Sequence, residues 1–497
     1  MTGDLITSGP IPAAAPSTKT GSHVRHLFDS ARRAFSEFLA IPTVVIIAFL
    51  ALAACAIWMD SLRIKYGWPA ILPGSHASIQ TLLGTVATSI ITVTSITFSL
   101  LLVAVQQGAS ALTSQVYDQF LRRRANQVFF GFFVGLALYC LVTLAAVHPH
   151  YTPVYGAIVA FLLTVVALCL LIILIYSTID QMRPVMIVKS IRKHVETARQ
   201  LQVRMLQQTR AVLPDGVVQA KAVRIPSDRS GYLTNIDVRA LNCFDQREVA
   251  AVVVLRSIGD YVSRGEDVLE LQFLSQHTNC EFRRLLAALK LEDQRDLTSD
   301  AAYGIEQLTT IGWTSTSTAK SNPQPGILAV QSLRDLAAEW YAVPGTPPKQ
   351  RSEGVPVIYS DNVPLTLVRG FESLAVVASE SMQHQTLAAV YRAIEFCLQH
   401  VPDDLVLSLA NVARRSLSAL GDHVLTDELQ KAMVALAKAL EKRGSELAAS
   451  EVDLACSKLA ETIGSLQSRG TRASAGNERE TVPRGSTSGR SQGCGHA

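Results

Sequence analysis

The stretch TLLGTVATSIITVTSITFSLLLVAV, residues Thr81 to Val105, decides how this chain is built. It carries no Asp, Glu, Lys or Arg and is long enough to cross a hydrocarbon layer, which needs about 20 apolar residues at 1.5 Å rise each. Within it Thr81, Thr85, Thr88, Thr92, Ser95 and Ser99 recur at steps of four and three, so a helix places all six hydroxyls on one face. Small hydroxyl residues let membrane helices approach closely and hydrogen-bond across their interface. The stripe therefore predicts a helix-helix interface or, in an oligomer, the lining of a conduit.

Three further stretches share this length and purity: Ile41 to Met59, Val128 to Val147 and Val154 to Tyr176, with Leu82 to Val105 as the second of four spans. Across 497 residues only 17% are charged against 48% hydrophobic, whereas soluble chains carry about 25% charge. The expected fold class is an α-helical membrane protein with four transmembrane helices and a cytoplasmic α+β region. The net charge of +4 is too small to suggest nucleic acid as a partner.

Orientation follows from the basic residues beside the spans. Lys19, Arg25, Arg32 and Arg33 precede span one, Arg122, Arg123 and Arg124 separate spans two and three, and Arg183, Lys189, Arg192, Lys193 and Arg199 follow span four. The first loop has only Arg63 and Lys65, and the third, His148 to Pro153, has no Lys or Arg. Both termini are expected on the cytoplasmic side of the membrane. The segment QQGASALTSQVYDQFLRRRANQ is amphipathic, so Arg122, Arg123 and Arg124 are candidate contacts for lipid phosphate.

The order GSHASIQTLLGTVATSIITVTSITFSLLLVAVQQGAS, then YDQFLRRRANQVFFGFFVGLALYCLV, resembles the bacterial predicted membrane proteins of domain of unknown function 2254. SGYLTNIDVRAL, LRSIGDYVSRGEDVLEL, DLTSDAAYGIEQLTTIGW and SNPQPGILAVQSLRDLA extend the resemblance over most of Phe35 to about Gln399, with a departure in the tract TSTSTAKSNP. The resemblance implies an inner-membrane protein with N-terminal spans and a cytoplasmic remainder. It implies no activity, cofactor or catalytic residue.

The domain plan expected is a disordered segment over 1–34, a four-helix membrane domain over 35–180, an exit helix over 181–216 and a β-rich module over 217–275. A mainly helical domain over 276–466 and a disordered tail over 467–497 complete it. The start, MTGDLITSGPIPAAAPSTKTG, has no apolar core and does not read as a signal peptide. GYLTNIDVRAL and VAAVVVLRSIGDYVSRGEDVLEL resemble the halves of a biotinyl/lipoyl-type β-sandwich, but the link NCFDQREV lacks the lysine that would carry the cofactor. VPVIYSDNVPLTLVRG suggests two short strands, Asn322-Pro323 a helix cap, and Ser450 with Asp453 a capping box. Val452, Cys456, Leu459, Ile463 and Leu466 form an apolar seam suited to packing or oligomerisation.

No GxxxxGK[ST], GxGxxG after a strand, HExxH, EF-hand loop or GxSxG elbow is present. No cysteine pair has ligand spacing, and the thiols read as reduced and mostly buried. No catalytic, cofactor-binding or metal residue is assigned, and no cofactor is expected. The expected partners are the lipid bilayer, a second copy of the chain in a homo-oligomer, and an unknown cytoplasmic partner. The function expected is a non-enzymatic scaffold or sensor, with an oligomeric channel-like protein lined by span two as the alternative.

Overall fold

A computed structural model describes residues 39–66, 76–111, 124–148, 151–181, 183–213, 221–242, 244, 248–274, 282–317, 322–342, 354–418, 420 and 424–461. The two end segments expected to be disordered, Arg122, Arg123, the turn expected after residue 213 and the stretch over 343–353 lie outside the described residues. The chain forms two compact units, one ending at Arg183 and the other beginning at Pro184.

The first unit holds α1 (Ala40–Tyr66), α2 (His76–Ala111), α3 (Arg124–Ala145) and α4 (Val154–Gln181). All four are long and apolar enough to cross a membrane. The outward face of α4 is as apolar as its inward one: Phe161, Leu168 and Ile172 are 56%, 55% and 70% exposed. A helix apolar on every side is stable where its surroundings are hydrocarbon.

Close packing is concentrated between α1 and α3. A Cβ on Gly131 would stand 2.9 Å from the Cα of Pro42, and one on Gly135 would stand 2.6 Å from the Phe49 ring. At Gly131 the helices meet nearly backbone to backbone, and at Gly135 the Phe49 ring takes the space a side chain would need. The core continues through Phe133, Leu136, Tyr139 and Cys140 of α3 and Ala157 and Ala160 of α4. Helix α2 runs no comparable length of backbone against the others; it reaches the core through the larger side chains Ile79, Leu83 and Ile90, with Ala87 between.

The second unit opens with α5 (Pro184–Leu206), which lies within the exit helix expected over 181–216 and ends before its expected limit; its buried stripe is Ile187, Val188, Ile191, Val195 and Ala198. Two sheets follow: β1 (Lys221–Pro226), β5 (Asp267–Phe273), β3 (Val249–Val254) and β7 (Val357–Tyr359) in that spatial order, and β4 (Tyr261–Val262), β2 (Gly231–Ile236) and β6 (Leu289–Glu292). Strand β7 joins β3 in parallel, whereas the other pairs are antiparallel. The two sheets share one core, with Val252, Leu269 and Val357 from the first and Leu233, Val262 and Leu289 from the second. The β-rich part therefore takes in β6 and β7, beyond the expected limit at 275. Between β2 and β3 the chain turns through α6 (Val238–Leu241), capped by Asp237. Helix α7 (Phe282–Ala287) precedes β6.

The remaining helices are α8 (Ala301–Ser317), α9 (Pro323–Ala337, continued by a π-helical turn over Ala338–Ala342), α10 (Val363–Glu380), α11 (His384–His400), α12 (Asp403–Leu417), α13 (Asp427–Lys442) and α14 (Glu446–Glu461). Each packs against the helix two places on: α8, α10, α12 and α14 make one layer, α9, α11 and α13 the other, and α5 covers the first pair. This is the architecture of a helical solenoid, whose units stack on their neighbours.

Three expectations are corrected here. PLTLV after Asn362 is the start of α10 rather than a second strand, because Pro364 sits in the first helical turn where its missing N–H costs nothing. Helix α14 begins at Glu446, so Ser450 lies inside it and donates to the Leu447 carbonyl (2.9 Å) instead of forming a capping box. Helix α1 runs past Met59 to Tyr66 and takes in Asp60. The cap at Asn322 is present, its side chain accepting from Gln324 N at 3.1 Å.

Candidate functional site: the faces of the second span

All six hydroxyl residues predicted from sequence lie on the exposed side of α2. The face turned to the bundle is a second stripe of identical spacing: Leu83, Ala87, Ile90, Thr94, Thr97 and Leu101. Its first three members are buried and its last three half-buried. The hydroxyl stripe is thus unused for packing within one chain. Thr81, Thr88, Thr92 and Ser99 donate to the carbonyls of Ala77, Gly84, Thr88 and Ser95, at 2.8, 2.9, 2.8 and 2.9 Å. Bonds to the carbonyl four residues back satisfy a hydroxyl proton inside a membrane helix and leave the oxygen lone pairs outward.

The second half of the bundle-facing stripe borders a narrow crevice. Thr94, Thr97, Phe98 and Leu101 of α2 line it with Phe129, Phe130 and Phe133 of α3 and Leu171 and Leu174 of α4. Of the three arginines proposed for lipid phosphate, Arg124 is described: it is the exposed first residue of α3, two positions before Asn126 at the crevice.

At the opposite end of the bundle stands a cluster that the span boundaries concealed. Asp60 is fully buried. Its carboxylate accepts from the backbone N–H groups of Tyr155 and Gly156, both at 3.0 Å, and so caps the first turn of α4. Arg63 lies 3.4 Å from Asp60 and donates to the Thr152 carbonyl at 3.1 Å, while the Tyr151 hydroxyl donates to Ile57 O at 2.7 Å. Burial, reinforced by the Asp60 charge, raises the Tyr151 phenol above its ordinary value, so it remains a donor. The arrangement ties the α3–α4 turn to α1. Its sequence signal is an Asp directly after the span Ile41 to Met59 and three residues before Arg63.

In the second unit the charged clusters are likewise paired. Arg192 reaches Glu196 (2.8 Å), Asp335 (2.6 Å) and Glu339, and Arg199 holds both carboxylate oxygens of Asp361 (3.0 and 2.7 Å) beneath the Trp340 ring. Burial opposes the charge on Arg192, yet its acidic neighbours outweigh that and raise its pKa. Burial also pushes the Tyr341 phenol up to about 12 and the Cys397 thiol up to about 12, which leaves both neutral. Cys55, Cys140, Cys169, Cys397 and Cys456 are free thiols, with Cys55 and Cys169 exposed on the apolar helices rather than buried. Among the described residues no three His, Cys, Asp or Glu side chains come together as a metal would require. The seam Val452, Cys456 and Leu459 is buried within the helical stack, and Ile463 and Leu466 lie outside the described residues.

Four long apolar helices followed by small sheets and a helical region define a membrane protein with a separately folded region after its spans. The family model described as predicted membrane protein (DUF2254) matches residues 36–383, and the chain belongs to that family. No curated protein and no solved structure matches it.

Proposed function

We propose that this protein is a non-enzymatic scaffold or sensor of the bacterial inner membrane, working as a homo-oligomer. The hydroxyl faces of α2 meet between copies, and the unit from Pro184 onward extends into the cytoplasm to engage a partner. One observation carries this reading: the six hydroxyls of α2 face away from their own bundle while Leu83, Ala87 and Ile90 face into it. Small hydroxyl residues are enriched where membrane helices meet, with cross-helix hydrogen bonds contributing about 0.6 kcal/mol each. The distribution of Lys and Arg supports the cytoplasmic assignment. In membranes containing a cysteine-free chain, Thr88→Cys and Thr92→Cys are expected to give disulfide-linked dimers, and Ile90→Cys on the buried face is not. Equal cross-linking at Thr88 and Ile90, or none at Thr88 and Thr92, contradicts the reading.

The outward lone pairs of the same stripe favour a second reading, a channel-like assembly with α2 lining a wetted path. Thr88→Val with Thr92→Val separates the two. A scaffold keeps its assembly and has no conductance to lose, whereas a channel changes conductance in reconstituted bilayers.

A further inference from the structure

We propose that the crevice between α2, α3 and α4 is a phospholipid site: an acyl chain lies between Leu101 and Thr97 of α2 and the Phe129, Phe130 and Phe133 rings of α3, and the phosphate meets Arg124. The argument begins with the bundle-facing stripe of α2. Leu83, Ala87 and Ile90 are buried at 0%, 2% and 5% exposure. The same line of positions, one to three turns further on, has fewer neighbours among the described residues: Thr94, Thr97 and Leu101 are only half-buried and border the crevice. Helix α2 thus packs at one end and stands off at the other.

A gap of this kind inside a membrane forfeits dispersion contacts unless something fills it. Water is a poor occupant, because the walls are almost wholly aromatic and aliphatic and Thr94 already donates to Ile90 O at 2.6 Å. An acyl chain matches the narrow shape and the apolar walls. The headgroup assignment comes from charge: the crevice is lined by the first turns of α3, and that helix begins with exposed Arg124. Guanidinium groups bind phosphate by charge-assisted hydrogen bonds, and basic side chains beside apolar slots between membrane helices suit anionic headgroups. The crevice lies on a different face of α2 from the hydroxyl stripe, so the site stands whether or not the proposed oligomer forms.

The test uses the full chain purified in mild detergent and analysed by native mass spectrometry. The wild type is expected to retain a phospholipid, with phosphatidylglycerol favoured over phosphatidylethanolamine on addition of either. Thr97→Phe, which fills the crevice, is expected to lose the retained lipid. Arg124→Gln is expected to retain lipid but to lose the headgroup preference. Photo-cross-linking with a diazirine-bearing acyl chain serves where Thr97→Phe does not fold: adducts are expected on the peptides containing Thr97 to Leu101 and Phe129 to Phe133. No retained phospholipid in the wild type, unchanged retention in Thr97→Phe, or adducts only on the outward face of α2 would overturn the proposal. Disulfide dimers through Thr97→Cys would overturn it as well, since a second chain would then occupy the crevice.

Discussion

Both units of this protein bury one aspartate completely, and the two are held very differently. Asp60, 0% exposed, caps α4 from a helix 95 residues earlier in the chain. Asp300, 1% exposed, caps its own helix, α8, accepting from Tyr303 N at 2.9 Å. Each has an arginine, but among the described residues Arg63 pairs with Asp60 as its one acid, at 3.4 Å, whereas Arg295 bridges Asp300 (2.8 Å) and Glu306 (2.5 Å) and stacks over the Tyr303 ring. In the second unit a local network shares the charge. In the membrane unit a single acid performs a long-range connection, because hydrocarbon supplies no water to satisfy the free N–H groups at the start of α4.

The comparison sets an order of effects. Asp60→Ala removes the acceptor of two backbone donors and the counter-charge of Arg63, and breaking a buried pair of this kind costs about 3–5 kcal/mol. Thermal unfolding of the detergent-purified chain should show it, together with new protease sensitivity at the α3–α4 turn. Asp300→Ala leaves Arg295 its Glu306 partner, so the expected loss is that of an unsatisfied buried donor, about 1–3 kcal/mol. Equal losses at the two sites would break the contrast between a single long-range clasp and a shared local network.

Two glycines sharpen it further. A Cβ on Gly135 would meet the Phe49 ring at 2.6 Å, and one on Gly304 would meet Val195 Cγ2 at 2.3 Å. Gly135→Ala and Gly304→Ala should each cost about 1–3 kcal/mol by overpacking. Each should lower the protease resistance of its own unit and leave the other's unchanged.

The smallest effect belongs to the exposed pair Arg414–Glu451, which joins α12 to α14 at 2.6 Å. The hydrogen bond and charge from Arg414 hold the Glu451 carboxyl below the usual range. Its contribution is therefore present above the unfolded glutamate value of about 4.3 and fades as pH falls through the lower folded value. Arg414→Gln should flatten that part of the acid unfolding curve slightly, because exposed pairs contribute little.

The amphipathic α5 and the cap at Asn322 were legible because each depends on residues close in sequence. Other local signals misled. Ser450 with Asp453 has the spacing of a capping box, but α14 already has a full turn before it, so the hydroxyl bonds a helix carbonyl instead. PLTLV has β-branched and apolar character, yet the stack buries Val363, Leu367, Gly370, Phe371 and Leu374 as one side of a helix. Asp60 escaped notice because its partners, Tyr155 and Gly156, follow two intervening spans.

By itself the sequence determined four membrane-crossing helices, the shared face of six hydroxyls and a mixed region after them. Those follow from solvation and from helical geometry, which act on every residue wherever its neighbours fold. Only the tertiary structure decided which way the hydroxyl face turns, that β7 closes a sheet begun a hundred residues earlier, and that the last helices stack in two layers. Each of these depends on contacts between distant segments, and a pattern of residue types names no partner.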